Sequence, residues 1–329
     1  MRKLLVAVAA MALVVTAGAP AFAGAGEAPD GVRIVNFNVL HGVFCPPDTD
    51  GCQAPDRVEL LVRQLEEADC PEVVGLQEIN TKLAKLLDDA VPEVCDGEYT
   101  IVFRSTPQGL DTERLLTTLP VVSTKVVKLS GNFRTASRAT LKSDLGPLVV
   151  VTTHQDGDPD APTGLVCRTC PPPCKDAGVD LLGCQTVVAA KLADDAGGAK
   201  AVRVLMGDFN VTPTSGRYGL LTTTDGWTDS HVAAGNPECD PATSVSCTAG
   251  RDDKSIESLK DPSVRQAERI DFIFVKAPAS CDLTFDPRAD DDGDGLGTGL
   301  WNDQPALDGP NGIVWVSDHT ANSADFTCA

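Results

Sequence analysis

The apolar residues of this chain occur in two kinds of run, which predict strands and helices. Short runs rich in Val, Ile and Leu, bounded by turn-forming residues, are typical of β-strands. Such runs cover Gly31–Val39, Val73–Gln77, Tyr99–Phe103, Val121–Leu129, Arg138–Lys142, Leu148–Thr153, Val202–Met206, Ile270–Val275 and Ile313–Val316. Apolar residues at helical spacing occupy Pro55–Ala68, Thr81–Ala90 and Val179–Asp194. This arrangement predicts an α/β protein in which two sheets pack face to face with helices outside.

The beginning of the chain has the pattern of a signal peptide. Arg2 and Lys3 precede an apolar run that ends at Val15, and the sequence Ala-Phe-Ala at residues 21–23 resembles a signal peptidase site. We expect cleavage after Ala23, which leaves residues 24–329 as a single domain. No later stretch is long and apolar enough to span a membrane. The mature protein is therefore expected to be secreted.

The cysteines support an oxidising location. The chain has 12 of them, an even number, so disulfide bonds are the expected state in a secreted protein. Cys167, Cys170, Cys174 and Cys184 form a C-x2-C-x3-C-x9-C cluster that also fits a four-thiolate zinc site. The sequence does not fix the pairing.

Composition and charge restrict the kind of partner. Of the 329 residues, 42% belong to the hydrophobic set, which suits a globular core. The formal net charge is −20, from 27 Lys and Arg against 47 Asp and Glu. This balance argues against a broad basic surface for nucleic acid or anionic lipid. It suits a protein that binds a divalent cation.

Polar residues stand at the ends of six predicted strands. They are Asn36 and Asn38, Glu78, His154, Asp208 and Asn210, Asp271, and finally Asp318 and His319. One such residue alone is common, since Asn at a strand end usually forms a turn and an acid there is usually solvated. Six together converge on one rim if the strands belong to one sandwich. Carboxylates, amides and imidazoles are the groups that metal-assisted phosphoester hydrolysis requires, with Mg²⁺ or Mn²⁺ as the cation.

The motifs that carry these residues resemble those of a known family. In order along the chain they are VNFNVL, GLQEI, TTHQ, GDFN, RIDFIF and SDH. This set is similar to the endonuclease/exonuclease/phosphatase superfamily, which includes pancreatic-type deoxyribonuclease, abasic-site endonucleases, inositol polyphosphate phosphatases and bacterial sphingomyelinases. The resemblance spans roughly residues 32–324. It implies a four-layered α/β/β/α sandwich, with two mixed sheets packed face to face and helices outside.

The resemblance also implies a metal site. It makes Glu78 the principal ligand, with Asn38 and Asp318 close to the ion directly or through water. Asn36 supports the phosphate or helps to hold the rim.

The same resemblance implies catalytic roles. His154 is expected to donate to the phosphate or to the leaving oxygen, and Asp208 with Asn210 to position the attacking water and the scissile phosphate. His319, oriented by Asp271, is the general base in one version of the mechanism. In another version, Asp208 takes the proton.

Two further residues are weaker candidates. Glu113 lies where some members of the superfamily place an acid that orients the first histidine, here His154. Arg138 either faces the phosphate or forms a structural ion pair.

Several substrates stay open. We expect a phosphoester substrate, either DNA or RNA or a phospholipid headgroup, with small soluble phosphoesters also open, and no obligate protein partner. A nuclease is placed ahead of a sphingomyelin-type phosphodiesterase, because no apolar hairpin for membrane entry is visible. A function other than catalysis is also an alternative: an exported binding protein that has the same fold but no enzymatic activity.

An acidic segment near the end of the chain resembles a calcium loop. Asp290, Asp292 and Asp294 lie in a D-x-D-x-D-G sequence, which is typical of the opening of such a loop. Its twelfth position would be Trp301 rather than a bidentate Glu. The alternatives are a structural Ca²⁺ site and a solvated acidic loop.

Overall fold

Two β-sheets make up most of the regular structure. The computed structural model describes residues 31–104, 111–130, 134–157, 170–286, 300–301 and 304–328. Its strands are β1 (Gly31–Asn38), β2 (Val73–Gln77), β3 (Thr100–Val102), β4 (Arg114–Thr117), β5 (Val121–Lys128), β6 (Thr135–Ser143), β7 (Gly146–His154), β8 (Val202–Asp208), β9 (Thr228–Asp229), β10 (Asp271–Lys276), β11 (Leu283–Asp286), β12 (Leu300–Trp301) and β13 (Ala321–Cys328). Its α-helices are α1 (Asp50–Glu67), α2 (Thr81–Ala90), α3 (Pro172–Asp176), α4 (Leu181–Asp194), α5 (Gly216–Gly219) and α6 (Ser230–Ala233).

Each sheet is mixed and has one central parallel pair. The first sheet has the order β11-β13-β1-β2-β4-β3, with β12 beside β13, and its parallel pair is β1 and β2. The second has the order β5-β6-β7-β8-β10-β9, and its parallel pair is β7 and β8. Parallel neighbours end at the same edge of a sheet, so the residues that follow them lie side by side.

Three apolar layers separate four layers of secondary structure. Between the two sheets, Ile34 and Val73 of the first belong to one cluster with Val150, Val204 and Ile273 of the second. Outside the first sheet, the apolar faces of α1 and α2 pack with β1 and β2. Outside the second sheet, α4 packs with β7 and β8. The predicted four-layered α/β/β/α sandwich is confirmed.

Most predicted elements are present, with different ends. The helix predicted over Thr81–Ala90 has those bounds, and Asn80 caps it by accepting a hydrogen bond from the Leu83 N–H at 2.9 Å. The helix predicted from Pro55 begins earlier, at Asp50. Residues 51–53 have left-handed backbone angles, so the regular apolar spacing starts only after them.

The strand predicted at Ile313–Val316 is wrong. These residues are buried in the cluster beneath α1 and α2, but they form no strand. The backbone N–H groups of Val314 and Trp315 donate to the Leu259 carbonyl instead. Their apolar character comes from packing beside the sheet rather than from membership of it. The strand that follows is β13, whose mixed polar sequence gave no apolar run.

Disulfides replace the predicted alternative of a zinc site. The bridges are Cys45–Cys52, Cys70–Cys95, Cys174–Cys184, Cys239–Cys247 and Cys281–Cys328. Cys170 is also disulfide-bonded. Three of the four proposed zinc ligands therefore have no thiolate to offer. Cys167, the acidic segment with Asp290, Asp292 and Asp294, and the predicted signal peptide lie outside the described residues. Within the described part, no helix has the length and apolar character that crossing a membrane requires.

Candidate active site

The polar rim is built where strands of both sheets end. Asn38 ends β1 and pairs in register with Gln77, the last residue of β2. His154 ends β7 and pairs with Asp208, the last residue of β8, which is in turn opposite Asp271 at the start of β10. The register of the strands therefore places amide, imidazole and carboxylate groups at one edge of the sandwich.

One amide group joins the two sheets at this edge. Asn38 Nδ2 donates to Glu78 Oε1 at 3.1 Å and to Asp208 Oδ2 at 3.0 Å. Asn38 Oδ1 accepts from the Leu40 N–H at 3.1 Å, which fixes the orientation of the amide. Both acids are therefore held by hydrogen bonds to a single neutral side chain.

Glu78 is kept ionised. Its Oε2 accepts from the His41 N–H at 2.8 Å and lies 3.5 Å from His41 Nδ1. Burial by itself would raise the pKa of Glu78, but His154, His41 and His319, with the backbone hydrogen bond, lower it to about 2. The first residue after β2 thus offers a carboxylate at any ordinary pH. Sequence analysis assigned no role to His41.

His319 is surrounded by carboxylates. Its Nδ1 lies 2.9 Å from Asp271 Oδ2, and its Nε2 lies 3.8 Å from both Asp208 Oδ2 and Asp318 Oδ2. Burial lowers the pKa of His319, but the charges of Asp271, Asp318 and Asp208 outweigh it and raise the pKa well above 6.5. Burial raises the pKa of Asp271 to about 6. The imidazole is therefore favoured in its charged form.

His154 approaches Asp208 from the other side. Its Nε2 lies 3.0 Å from Asn210 Nδ2 and 3.4 Å from Asp208 Oδ2. Its Nδ1 lies 2.8 Å from Asp111 Oδ2. Arg134 pairs with the same carboxylate and places Nη1 2.6 Å from His154 Nδ1. Burial lowers the pKa of His154.

The structure corrects the prediction that Glu113 orients His154. The acid in that place is Asp111, two residues earlier in the same segment. Glu113 is buried, and its Oε2 accepts from the hydroxyls of Thr135 and Ser137. Burial raises the pKa of Glu113 to about 7.

The structure also corrects both alternatives given for Arg138. Arg138 lies in the middle of β6, opposite Val151, and its Nη1 donates to the Leu192 carbonyl of α4 at 3.4 Å. It therefore faces the outer helix rather than the rim, and its described contact is with a backbone carbonyl. A cation that does lie beside the rim is Arg134, which sequence analysis missed.

Asn36 holds the rim from beneath, the second of its two predicted roles. It donates to Asn322 Oδ1 at 3.1 Å and accepts from Gln77 Nε2 at 2.9 Å. Gln77 Nε2 also donates to Thr152 Oγ1 of the second sheet at 3.0 Å. This buried polar layer fixes the spacing of the sheets below the active residues.

Two buried arginines hold the loops that carry the site. Arg57 donates to the carbonyls of Val39 and Leu40 after β1 and to that of Val316, two residues before Asp318. Arg251 donates to the carbonyls of Ser317 and His319. Neither was recognised in the sequence, because their partners are backbone atoms.

The donor set of the rim fits a hard divalent cation. Asp208, Asp271 and His319 bring possible ligand atoms within 4.8 Å of one another. Asp271 Oδ1 is buried and has no hydrogen-bond partner among the described residues, and Asp318 adds a further buried carboxylate. With the ionised Glu78 beside them, oxygen ligands predominate, as Mg²⁺ and Mn²⁺ prefer.

Comparisons with known proteins identify a family and a shared fold. The model of the Endonuclease/Exonuclease/phosphatase family matches residues 35–319. No curated protein matches the chain. D. rerio TDP2 complexed with single-strand DNA product is similar in structure, with TM-score 0.61, 15% identity, and coverage of 90% of this chain and 99% of that one.

Two other solved structures are similar over most of their length. The human Nocturnin catalytic domain with bound sulfate has TM-score 0.55 and 14% identity, covering 91% of this chain and 95% of its own. An endonuclease/exonuclease/phosphatase from Bacteroides vulgatus has TM-score 0.57 and 18% identity, covering 91% and 99%. These likenesses show the fold.

Proposed function

The chain belongs to the endonuclease/exonuclease/phosphatase family, and from that premise we propose that it is a secreted, divalent-metal-dependent phosphodiesterase that cleaves polynucleotides. The observation that carries this proposal is the pair of imidazoles around one carboxylate. His154 and His319 both face Asp208 Oδ2, and each is oriented through Nδ1 by its own acid. That arrangement places one proton acceptor, Asp208, between two imidazoles that can donate to the phosphoryl and leaving oxygens of a phosphodiester.

Glu78, Asn38 and Asp318 are the residues that would hold the cation. A divalent cation there would draw negative charge from the phosphoryl oxygens and lower the pKa of a neighbouring water. Asn38 would contribute its amide oxygen, since its nitrogen donates to Glu78 and Asp208.

His319 acts as a charged hydrogen-bond donor to the phosphate. Asp271 accepts from its Nδ1, and its Nε2 faces the carboxylates of Asp208 and Asp318. An imidazole among three carboxylates is stabilised in its protonated form. In that form it donates to a phosphoryl oxygen and does not take a proton from water.

Asp208 then accepts the proton of the attacking water. Its carboxylate is fixed, since Oδ2 accepts from Asn38 and Oδ1 accepts from the Asn210 N–H at 2.8 Å. Water forms the new bond to phosphorus while the bond from phosphorus to the leaving oxygen breaks. The charges of Asp208 and Glu78 favour the protonated imidazole of His154 against burial. In that form His154, held at Nδ1 by Asp111, gives its Nε2 proton to the leaving oxygen.

The choice of polynucleotide over phospholipid has two supports. D. rerio TDP2, which shares the fold, carries a single-strand DNA product. Among the described residues, exposed large apolar side chains are few and scattered, apart from Val43 with Phe44 and three valines of β5, which is a small surface for entering a membrane. The disulfide state of every described cysteine supports secretion.

Hydrolysis by the purified mature protein tests the proposal. Single-stranded DNA, duplex DNA, RNA and sphingomyelin are each incubated with Mg²⁺, with Mn²⁺ and with EDTA. We expect cleavage of a polynucleotide with either cation, and loss of it in EDTA and in Asp208→Asn. Asp96→Asn is the control, because Asp96 is exposed and has a positive φ that Asn accepts. Choline release without nucleotide release would overturn the polynucleotide assignment in favour of a phospholipid.

A further inference from the structure

An aromatic side chain is exposed directly beside the candidate site. Phe44 is 60% exposed and its neighbour Val43 is 43% exposed. Both lie in the loop between β1 and α1, a few residues after Asn38. Phe44 is the only aromatic residue among the exposed large apolar side chains of the described part. Together with Val43 it forms a small exposed apolar patch next to the candidate site, and this position makes the ring available to a bound substrate.

The loop that presents Phe44 is held in place. The Cys45–Cys52 disulfide closes it, and Asn80 Nδ2 donates to the His41 carbonyl at 2.7 Å. At Gly42, with φ of +67°, a Cβ atom would lie 2.5 Å from the Gly51 carbonyl oxygen, so only glycine fits there. Phe44 is therefore preorganised rather than loosely attached.

A short chain of contacts joins Phe44 to the metal-binding carboxylate. The Phe44 ring meets the His41 ring edge to face, with centroids 5.4 Å apart. His41 in turn contacts Glu78, with Nδ1 3.5 Å from Oε2. A nucleotide whose phosphate is bound through a cation at Glu78 would thus lie within reach of the phenyl ring.

We propose that Phe44, supported by His41, is the stacking platform for a nucleobase that flanks the scissile phosphate of a single-stranded polynucleotide. The inference rests on the proposed function and names the substrate feature that is recognised. Stacking on an aromatic ring tolerates any base. It also supplies affinity that a protein with net charge −20 does not gain from phosphate contacts over a broad surface.

The surroundings of the ring favour a base over a lipid surface. The apolar patch consists of Val43 and Phe44, and the nearby cation Lys82 is paired with Asp50. Interfacial binding generally combines a larger apolar face with free basic residues.

The test uses oligonucleotides with and without bases. Wild type, Phe44→Ala and Phe44→Trp are compared on a single-stranded DNA of random sequence and on the same length of strand made of abasic nucleotides. We expect Phe44→Ala to raise KM about 10-fold on the normal strand with kcat little changed, the effect of one lost stacking contact. Phe44→Trp should restore the low KM. On the abasic strand, all three proteins should have the same KM.

The control and the contrary outcomes separate this inference from the proposed function. Leu307→Ala removes another exposed apolar side chain, 78% exposed, and should leave KM unchanged. If wild type cleaves DNA and Phe44→Ala has the same KM, the stacking platform is overturned and the proposed function is not. Wild type that cleaves no polynucleotide overturns both proposals. Loss of binding to sphingomyelin vesicles in Phe44→Ala, with an unchanged KM for DNA, assigns the ring to a lipid and also overturns the platform.

Discussion

Asn38, at the end of β1 in the first sheet, donates a hydrogen bond of 3.0 Å to Asp208, at the end of β8 in the second. The candidate site therefore depends on the distance between the two sheets, which the buried layers below it set. The Asn38 amide also lies between two acids, Asp208 and Glu78, since the same nitrogen donates to Glu78.

Replacement of Asn38 by Ala should disable the site and weaken the fold. Glu78 and Asp208 would lose a shared donor and would repel each other. We expect turnover to fall by about 100-fold and the free energy of unfolding by about 1–3 kcal/mol, measured by initial rates and by urea denaturation. Turnover within twofold of wild type would show that the amide is not needed. Asp96→Asn serves as the control for both measurements.

The fold and the principal site residues were predictable because both depend on strand ends. A polar residue at the end or start of an apolar strand is visible in sequence: His154 and Asp208 end theirs, and Asp271 begins one. Their mutual approach follows from the parallel and antiparallel registers of three neighbouring strands.

The residues that were missed act through other geometry. Asp111 lies before β4 and Arg134 before β6, where no apolar run marks a strand end. Arg57 is a helix residue whose partners are backbone carbonyls. Every residue type has a backbone carbonyl, so the sequence does not indicate such partners. Ile313–Val316 gave a false strand, because burial beneath a helix produces the same apolar run as burial within a sheet.

Kinetic measurements should distinguish Asp111 from Glu113 as the acid that orients His154. Asp111→Asn keeps the shape of the side chain but removes the charge that orients and stabilises the imidazole. We expect kcat to fall by about 10²- to 10⁴-fold. Glu113→Gln is the matched variant, and its kcat should stay within about threefold, since the Glu113 carboxyl bonds Thr135 and Ser137 instead. The reverse order of effects would restore Glu113 as the orienting acid.

Glu113 should make stability depend on pH in a defined window. Its pKa is about 7 in the folded protein against 4.5 for an ordinary Glu. The folded state therefore binds the proton more tightly than the unfolded state. Stability from this group is fully present below pH 4.5 and is lost as pH rises through 7.

Glu113→Gln should remove that dependence, because a neutral amide replaces the protonated acid. Near pH 4.5 we expect similar free energies of unfolding for the variant and wild type, and by pH 8 an advantage of about 3 kcal/mol for the variant. Denaturant titrations at the two pH values measure the difference. A constant difference between the two proteins across the range would contradict the raised pKa.

Cation binding should depend on Glu78 and be measurable without turnover. Calorimetric titration of the chelator-treated protein with Mn²⁺ should show binding, which relieves the repulsion among the rim carboxylates. Glu78→Gln should weaken that binding by about 100-fold, whereas Asp96→Asn should not change it. Equal affinity in Glu78→Gln and wild type would move the metal to the group formed by Asp208, Asp271 and His319.

Arg57 should prove essential through the shape of its guanidinium rather than through its charge. It is buried, and burial lowers its pKa to about 10, so it stays protonated at neutral pH. Its three nitrogens donate to five carbonyls, of Val39, Leu40, Gly51, Cys52 and Val316. The ammonium of Arg57→Lys keeps the charge but offers three hydrogens from one point, so buried carbonyls lose donors.

That loss should appear in both stability and catalysis, because the carbonyls belong to the segments that carry Asn38 and Asp318. We expect Arg57→Lys to lower the free energy of unfolding by about 2–4 kcal/mol, and to lower kcat more than it raises KM, since misplaced catalytic groups affect the transition state most. Arg63→Lys, on the same helix but paired with the exposed Asp308 at the surface, is the matched control and should change stability by less than about 0.5 kcal/mol. If Arg57→Lys is destabilised but keeps the wild-type kcat below its melting temperature, Arg57 holds the fold without positioning the site.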